Sequence, residues 1–186
     1  MMERSSAFDP STLTPELNAV TNELRNESDR GAAIVGVEYL HQLVKQLVCA
    51  HMVEERKLVG KLLEYPGALC TASSQIELAF ALGWIGPQMY GDLTVARGIR
   101  NRFSHSHTRL SFGDAGISQE CGRFKALAFS KPYRLRKPKD QFLFALLMLM
   151  LQLTELRQRT RTPAKGIDPP VHRFDGPPRT PGSLPD

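Results

Sequence analysis

Residues 142–151 read FLFALLMLML, ten apolar side chains without a break. Ten are too few to cross a bilayer, so the run belongs to a helix buried inside a protein. Its continuation to residue 160 turns basic (Arg157, Arg159), which suits the negative end of a helix dipole. A helix apolar on every side has to be surrounded, and the remaining segments supply the neighbours. Thr14-Pro15-Glu16 is a helix start, predicting a short helix over 15–25. After the polar stretch 26–30, which the pattern leaves open between loop and helix, a long helix follows through GAAIVGVEYLHQLVKQLVCAHMVEE. There Ile34, Val37, Leu40, Val44, Leu47 and Val48 recur at three- and four-residue spacing. A short amphipathic piece spans 57–65. Ser73 or Ser74 caps the next helix, with Glu77 completing a capping box, and that helix runs to about Gly86-Pro87. Further helices are expected over 87–105, 120–129 and 138–160. No segment calls for a strand, so the class is all-α, a bundle of five or six helices.

The last 25 residues hold seven Pro and three Gly, a composition that neither sustains a helix nor packs a core. The chain therefore divides into a flexible N-terminus (1–13), one helical domain (14–161) and a disordered Pro/Gly-rich tail (162–186). At 186 residues with 41% hydrophobic and 23% charged side chains, one core is the expectation. Charge is distributed unevenly: residues 1–92 carry −5 and residues 93–186 carry +10. A basic half suits an anionic partner, nucleic acid first.

Several function classes drop out. Cys49, Cys70 and Cys121 form no CxxC, and an odd number cannot all pair within one chain; reduced thiols in a cytoplasmic protein are expected. Residues 1–10 lack the apolar stretch of a secretory signal, and no segment is a membrane span. His41, His51 and His172 have no Cys or His at ligand spacing, so no metal is expected. No GxGxxG, Walker loop or GxSxG occurs, and no cofactor is expected. Residues 75–93 fit a helix-turn-helix poorly. The second helix would open on Gln88 with no Arg or Lys before Arg97, so an ordinary helical hairpin is the better reading.

The chemistry concentrates in ARGIRNRFSHSH, residues 96–107. Arg97, Arg100, Asn101, Arg102, His105 and His107 lie at the end of one helix. Arg97 and Asn101, like Asn101 and His105, share a face. Arg100 and His105 are separated by roughly 140° around the axis. A metal-independent ribonuclease needs an acid/base near neutral pH, which His supplies, and a permanent cation for the phosphate, which Arg supplies. Arg100 would stabilise charge on phosphorus, Asn101 would orient, and His105 would move the proton. The same residues also suit a plain helix C-terminus, where Arg and His favour the dipole and cap carbonyls. A second basic stretch lies further on: Arg123, Lys125, Lys131, Arg134, Arg136, Lys137 and Lys139 fall in 17 residues without an acid. Phe124, Phe129 and Tyr133 interleave with them, as in a surface that grips phosphates and stacks bases.

RNRFSH at 100–105 resembles the RN-x3-H pattern of the HEPN superfamily, helical bundles that include RNA-cleaving toxins and non-catalytic nucleotide binders. More of the chain resembles the mannitol operon repressor family: ESDRGAAIVG from Glu27, YPGAL from Tyr65, IELAFALGWI from Ile76, YGDL from Tyr90 and IRNRFSH from Ile99, in that order. Ser104 stands where Ala is expected, and Pro66-Gly67 replaces a Gly-Pro-type turn. The resemblance implies an all-α transcriptional regulator acting through a protein partner or nucleic acid. It also suggests that Glu27, Asp29 and Arg30 line one cleft with Asn101 and His105. An acidic helix cap with a solvated Arg explains those three equally well. Self-association as a homodimer would bring two Arg100/His105 clusters together. The competing class is a metal-independent endoribonuclease built on Arg100, Asn101 and His105.

Overall fold

The computed structural model describes residues 15–133 and 135–160, with backbone only at 131–133. The N-terminal segment expected to be flexible, the expected disordered tail and Arg134 lie outside the described residues, as does the side chain of Lys131. Eight helices and no strand are found among the described residues. They are α1 (Pro15–Asn26), α2 (Asp29–Ala50), α3 (Arg56–Leu63), α4 (Ala72–Ala81), α5 (Pro87–His105), α6 (Ala115–Cys121), a 3-10 helix (Lys125–Tyr133) and α7 (Pro138–Arg159). The all-α bundle is as expected, with more helices than the five or six read from the pattern.

α2 and α7 form the centre. α2 packs on α1, α4, α5 and α7, and α7 also meets α1, α5, α6 and the 3-10 helix. The apolar run is enclosed accordingly: Phe142, Leu146, Leu149 and Met150 are all at most 1% exposed. Gly36 of α2 lies where a Cβ would come within 2.6 Å of Leu146 and 3.2 Å of Leu24, so a small residue lets α1, α2 and α7 meet. An aromatic chain runs from Phe103 to Phe112 (5.0 Å), Phe142 (4.9 Å) and Phe124 (6.2 Å from Phe142), joining α5, the loop after it, α7 and the approach to the 3-10 helix.

Four boundaries differ from expectation and the start of α2, which the pattern leaves open, is fixed, each for a local reason. Ser28 caps α2, its Oγ accepting from the Gly31 amide at 3.0 Å. α2 stops at Ala50, where His51 turns back on the Leu47 carbonyl (2.9 Å) and stacks on Trp84 at 4.2 Å. α4 is capped by Thr71, not by Ser73 or Ser74: Thr71 Oγ1 accepts from the Ser74 amide (3.1 Å), and Glu77 accepts from Ser73 Oγ instead. It also ends at Ala81. Gly83 at φ 72° lets the Gly83 amide reach Phe80 and the Trp84 amide reach Ala79, a Schellman turn that closes the helix five residues early. The helix expected over 120–129 is two pieces, α6 and the 3-10 helix. Buried Asp92 starts the second, its carboxylate accepting from the amides of Lys125 (2.7 Å) and Ala126 (2.8 Å). Residues 75–93 form the ordinary hairpin of α4 and α5.

Candidate functional site

The sequence between residues 27 and 30 folds into a fastening. Arg30 Nε donates to the Phe103 carbonyl at 2.9 Å, and its Nη2 donates to the Ser106 carbonyl. These are carbonyls that the end of α5 leaves without intrahelical partners, and a cation is favoured there. Asp29 accepts from the Phe112 amide (3.0 Å) and pairs with Lys139 at 3.5 Å. Lys139 also donates to the Glu27 carbonyl at 2.6 Å. A Cβ on Gly31 would stand 2.2 Å from a Glu27 carboxylate oxygen, so glycine there leaves room for that side chain. The start of α2 is thus tied to the end of α5, the following loop and the start of α7. Arg30 therefore holds backbone carbonyls on either side of His105, while Asp29 and Glu27 engage the α7 side.

The α5 residues go to different places. Arg102 crosses to α6, pairing with Glu120 at 2.9 Å and lying over Gly116. His105 and His107 are exposed at the end of α5 and just beyond it. Arg100 is half-buried; its Nη1 donates to Asn101 Oδ1 at 3.2 Å. Arg100 also lines a polar cavity of about 330 Å³ together with Glu38, His41, Gln42 and Lys45 of α2 and Gln75 of α4. His105 is not among the residues of that cavity. Arg97 is half-buried and close enough to act on His41 electrostatically.

His41 has no metal-type partner in the sequence, yet it is a titratable group that the fold perturbs. Burial pushes its pKa below the usual 6.5, Glu38 opposes the shift, and Arg100 and Arg97 add to it. The available signal was Glu38, His41, Gln42 and Lys45 at helical spacing on one face of α2. Among the described residues, no group of three His, Cys, Asp or Glu side chains is placed to hold a metal.

The basic stretch is divided by the fold. Arg123, Lys125, Arg136 and Lys137 are exposed, and no carboxylate among the described residues pairs with them. Lys139 is held by Asp29. Phe124 is 3% exposed and packed on Phe142, so it offers no face to a base; Phe129 is 48% exposed. Arg123 and Lys125 border a second cavity of about 450 Å³ with Tyr90, Asp92 and Val95.

The described residues thus form a helical bundle fastened by charged residues at the α2–α5–α7 junction, with a polar cavity and several exposed basic side chains. No helix among the described residues is long and apolar enough to cross a membrane. The mannitol repressor (MtlR) family model matches residues 18–162, and the chain belongs to that family. No curated protein matches the chain. Among solved structures, it is similar to a chain in the X-ray structure of the MtlR-HPr complex from Escherichia coli. The two are 24% identical, the match covers 80% of this chain and 100% of that chain, and the TM-score is 0.58. That likeness shows a shared fold.

Proposed function

We propose that the chain is a cytoplasmic regulator of the mannitol-repressor type that works by binding a protein, with the exposed basic face as the docking surface. Family membership supports the regulatory role, and the similar Escherichia coli fold was solved in complex with HPr, which makes a partner of that kind the first to test. The observation that carries the choice of a binding module is the dispersal of the RN-x3-H side chains. Arg100 borders a cavity in which His105 has no part. A ribonuclease built on them needs the acid/base and the phosphate cation on one reacting group.

Titrating HPr into the protein tests the reading. Saturable binding that weakens with salt is expected, and Ala at Arg123, Lys125, Arg136 and Lys137 together should weaken it about tenfold or more while flattening the salt dependence. Unchanged binding in that variant would move the docking surface elsewhere, and no binding at all would remove the partner. RNA cleavage in EDTA is the opposing assay. Activity lost in both Arg100→Ala and His105→Ala would replace the regulator with an endoribonuclease, assembled across a two-fold dimer that sedimentation would then have to show.

A further inference from the structure

We propose that the polar cavity between α2, α4 and α5 binds a small tetrahedral oxyanion, the phosphoryl group of a small molecule, on Arg100, Lys45 and His41. The proposal does not depend on the protein-partner reading. Its first support is a pair of orphans. Arg100 Nε and His41 Nε2 are both buried without a hydrogen-bond partner, and both belong to side chains bordering this one cavity. Buried polar atoms are nearly always paired, and each unpaired one costs about 1–3 kcal/mol. Both atoms are sealed from solvent as the side chains stand, so a ligand in the cavity completes them by a small turn of the Arg100 guanidinium and the His41 ring.

The charge around the cavity decides what that is. Lys45 and Arg100 are cations, with Arg97 close behind; Glu38 is the one carboxylate of the lining. Glu38 stands 3.8 Å from His41 Nδ1, too far for a hydrogen bond, and already accepts from Gln42 Nε2 at 3.2 Å. Ala72, the first residue of α4, also borders the space, so the positive end of that helix adds to the same field. Donors from α2 and α5 therefore outnumber acceptors, which suits a ligand of several acceptor oxygens. A volume of about 330 Å³ is at the small end of ligand sites, enough for a phosphomonoester of a few carbons and too small for a polymer.

The charged groups acting on His41 are Glu38 from its own helix and Arg97 and Arg100 from α5, and Lys45 borders the same cavity. Burial, with Arg100 and Arg97, lowers the pKa of the imidazole, and Glu38 opposes them. A bound dianion reverses the balance and favours protonation, so occupancy and a proton on His41 go together.

Sulfate is the first probe, because its charge is constant from pH 6.0 to 7.5. The imidazole signal of His41 and the Nε–H signal of Arg100 are followed by NMR during titration at fixed ionic strength, with the thermal midpoint of each variant recorded. Both signals should move saturably, and more tightly at pH 6.0 than at pH 7.5. Arg100→Ala should weaken the response of His41 about tenfold or more. Glu38→Gln, which removes the repelling charge and leaves the fold intact, should tighten it severalfold. Equal sulfate response in wild type and both variants, or shifts confined to the exposed basic face, would overturn the site. Inorganic phosphate and glycerol phosphate then distinguish the sources: tighter binding of the ester identifies a phosphorylated small molecule, equal binding identifies free phosphate.

Discussion

His41 shows how much one residue's surroundings matter more than its identity. Its ring is held among α2 and α5 side chains, with desolvation as the largest influence and Arg100 and Arg97 in support, and Glu38 only partly offsets them. The folded-state pKa therefore lies below the unfolded value of about 6.5. The unfolded chain binds the proton first, so stability is full above about pH 6.5 and falls as the pH drops toward the folded value. In the absence of multivalent anions, the thermal midpoint should decline between pH 7.5 and 5.5, and His41→Gln should show a visibly smaller decline. Identical slopes would mean that the ring is solvated in the folded protein. Cys121 carries the same lesson in a thiol: burial and the neighbouring Glu120 push its pKa up to about 12, which leaves it inert.

At the scale of elements, the fold depends on a few side chains that close helix ends across the bundle. Arg30 closes α5, and Asp92 opens the 3-10 helix. Replacing Asp92 by Ala leaves the Lys125 and Ala126 amides unpaired in a site 3% exposed, a loss of about 3 kcal/mol. Calorimetry should show the midpoint lowered by about 6–12 °C; a shift under 2 °C would mean that water replaces the carboxylate. Helix periodicity and start signals made α1, α2, α5 and α7 legible in the sequence, down to Pro15, Pro87 and Pro138 at their first positions. What stayed hidden was long-range. Nothing local marks Asp92 as the start of an element 33 residues away. Nor does it say that Gly83, one of several glycines, takes the positive φ. The candidate site was legible in the same measure. The sequence pointed to Arg100 and Asn101, but the partner that faces Arg100, His41, lies 59 positions earlier and meets it only through the packing of α2 on α5. The reverse holds for Arg102 and Lys139, where a list of basic residues cannot show that Glu120 and Asp29 already hold two of them.

For the whole molecule, the relevant boundary is where the packed bundle stops. Every residue of the hydrophobic core among the described residues lies between Leu17 and Leu153. The end of α7 is secured by its own contacts: Arg157 donates to Gln46 of α2, and Thr160 Oγ1 lies 3.3 Å from His51 Nε2, which is itself stacked with Trp84. Residues 161–186 add four basic and three acidic side chains, so the +10 of the second half barely depends on them. If the regulator works through its bundle, a chain ending at Thr160 should keep its thermal midpoint within about 2 °C, since every core residue among the described residues remains. It should also bind HPr with the same affinity and the same salt dependence, because Arg123, Lys125, Arg136 and Lys137 all remain. Calorimetry and titration on the shortened chain check both. An unchanged midpoint with lost binding would place the docking determinant in the proline-rich segment, whose seven prolines would then act as a preformed extended ligand. A fallen midpoint would instead make residues beyond 160 part of the folding unit.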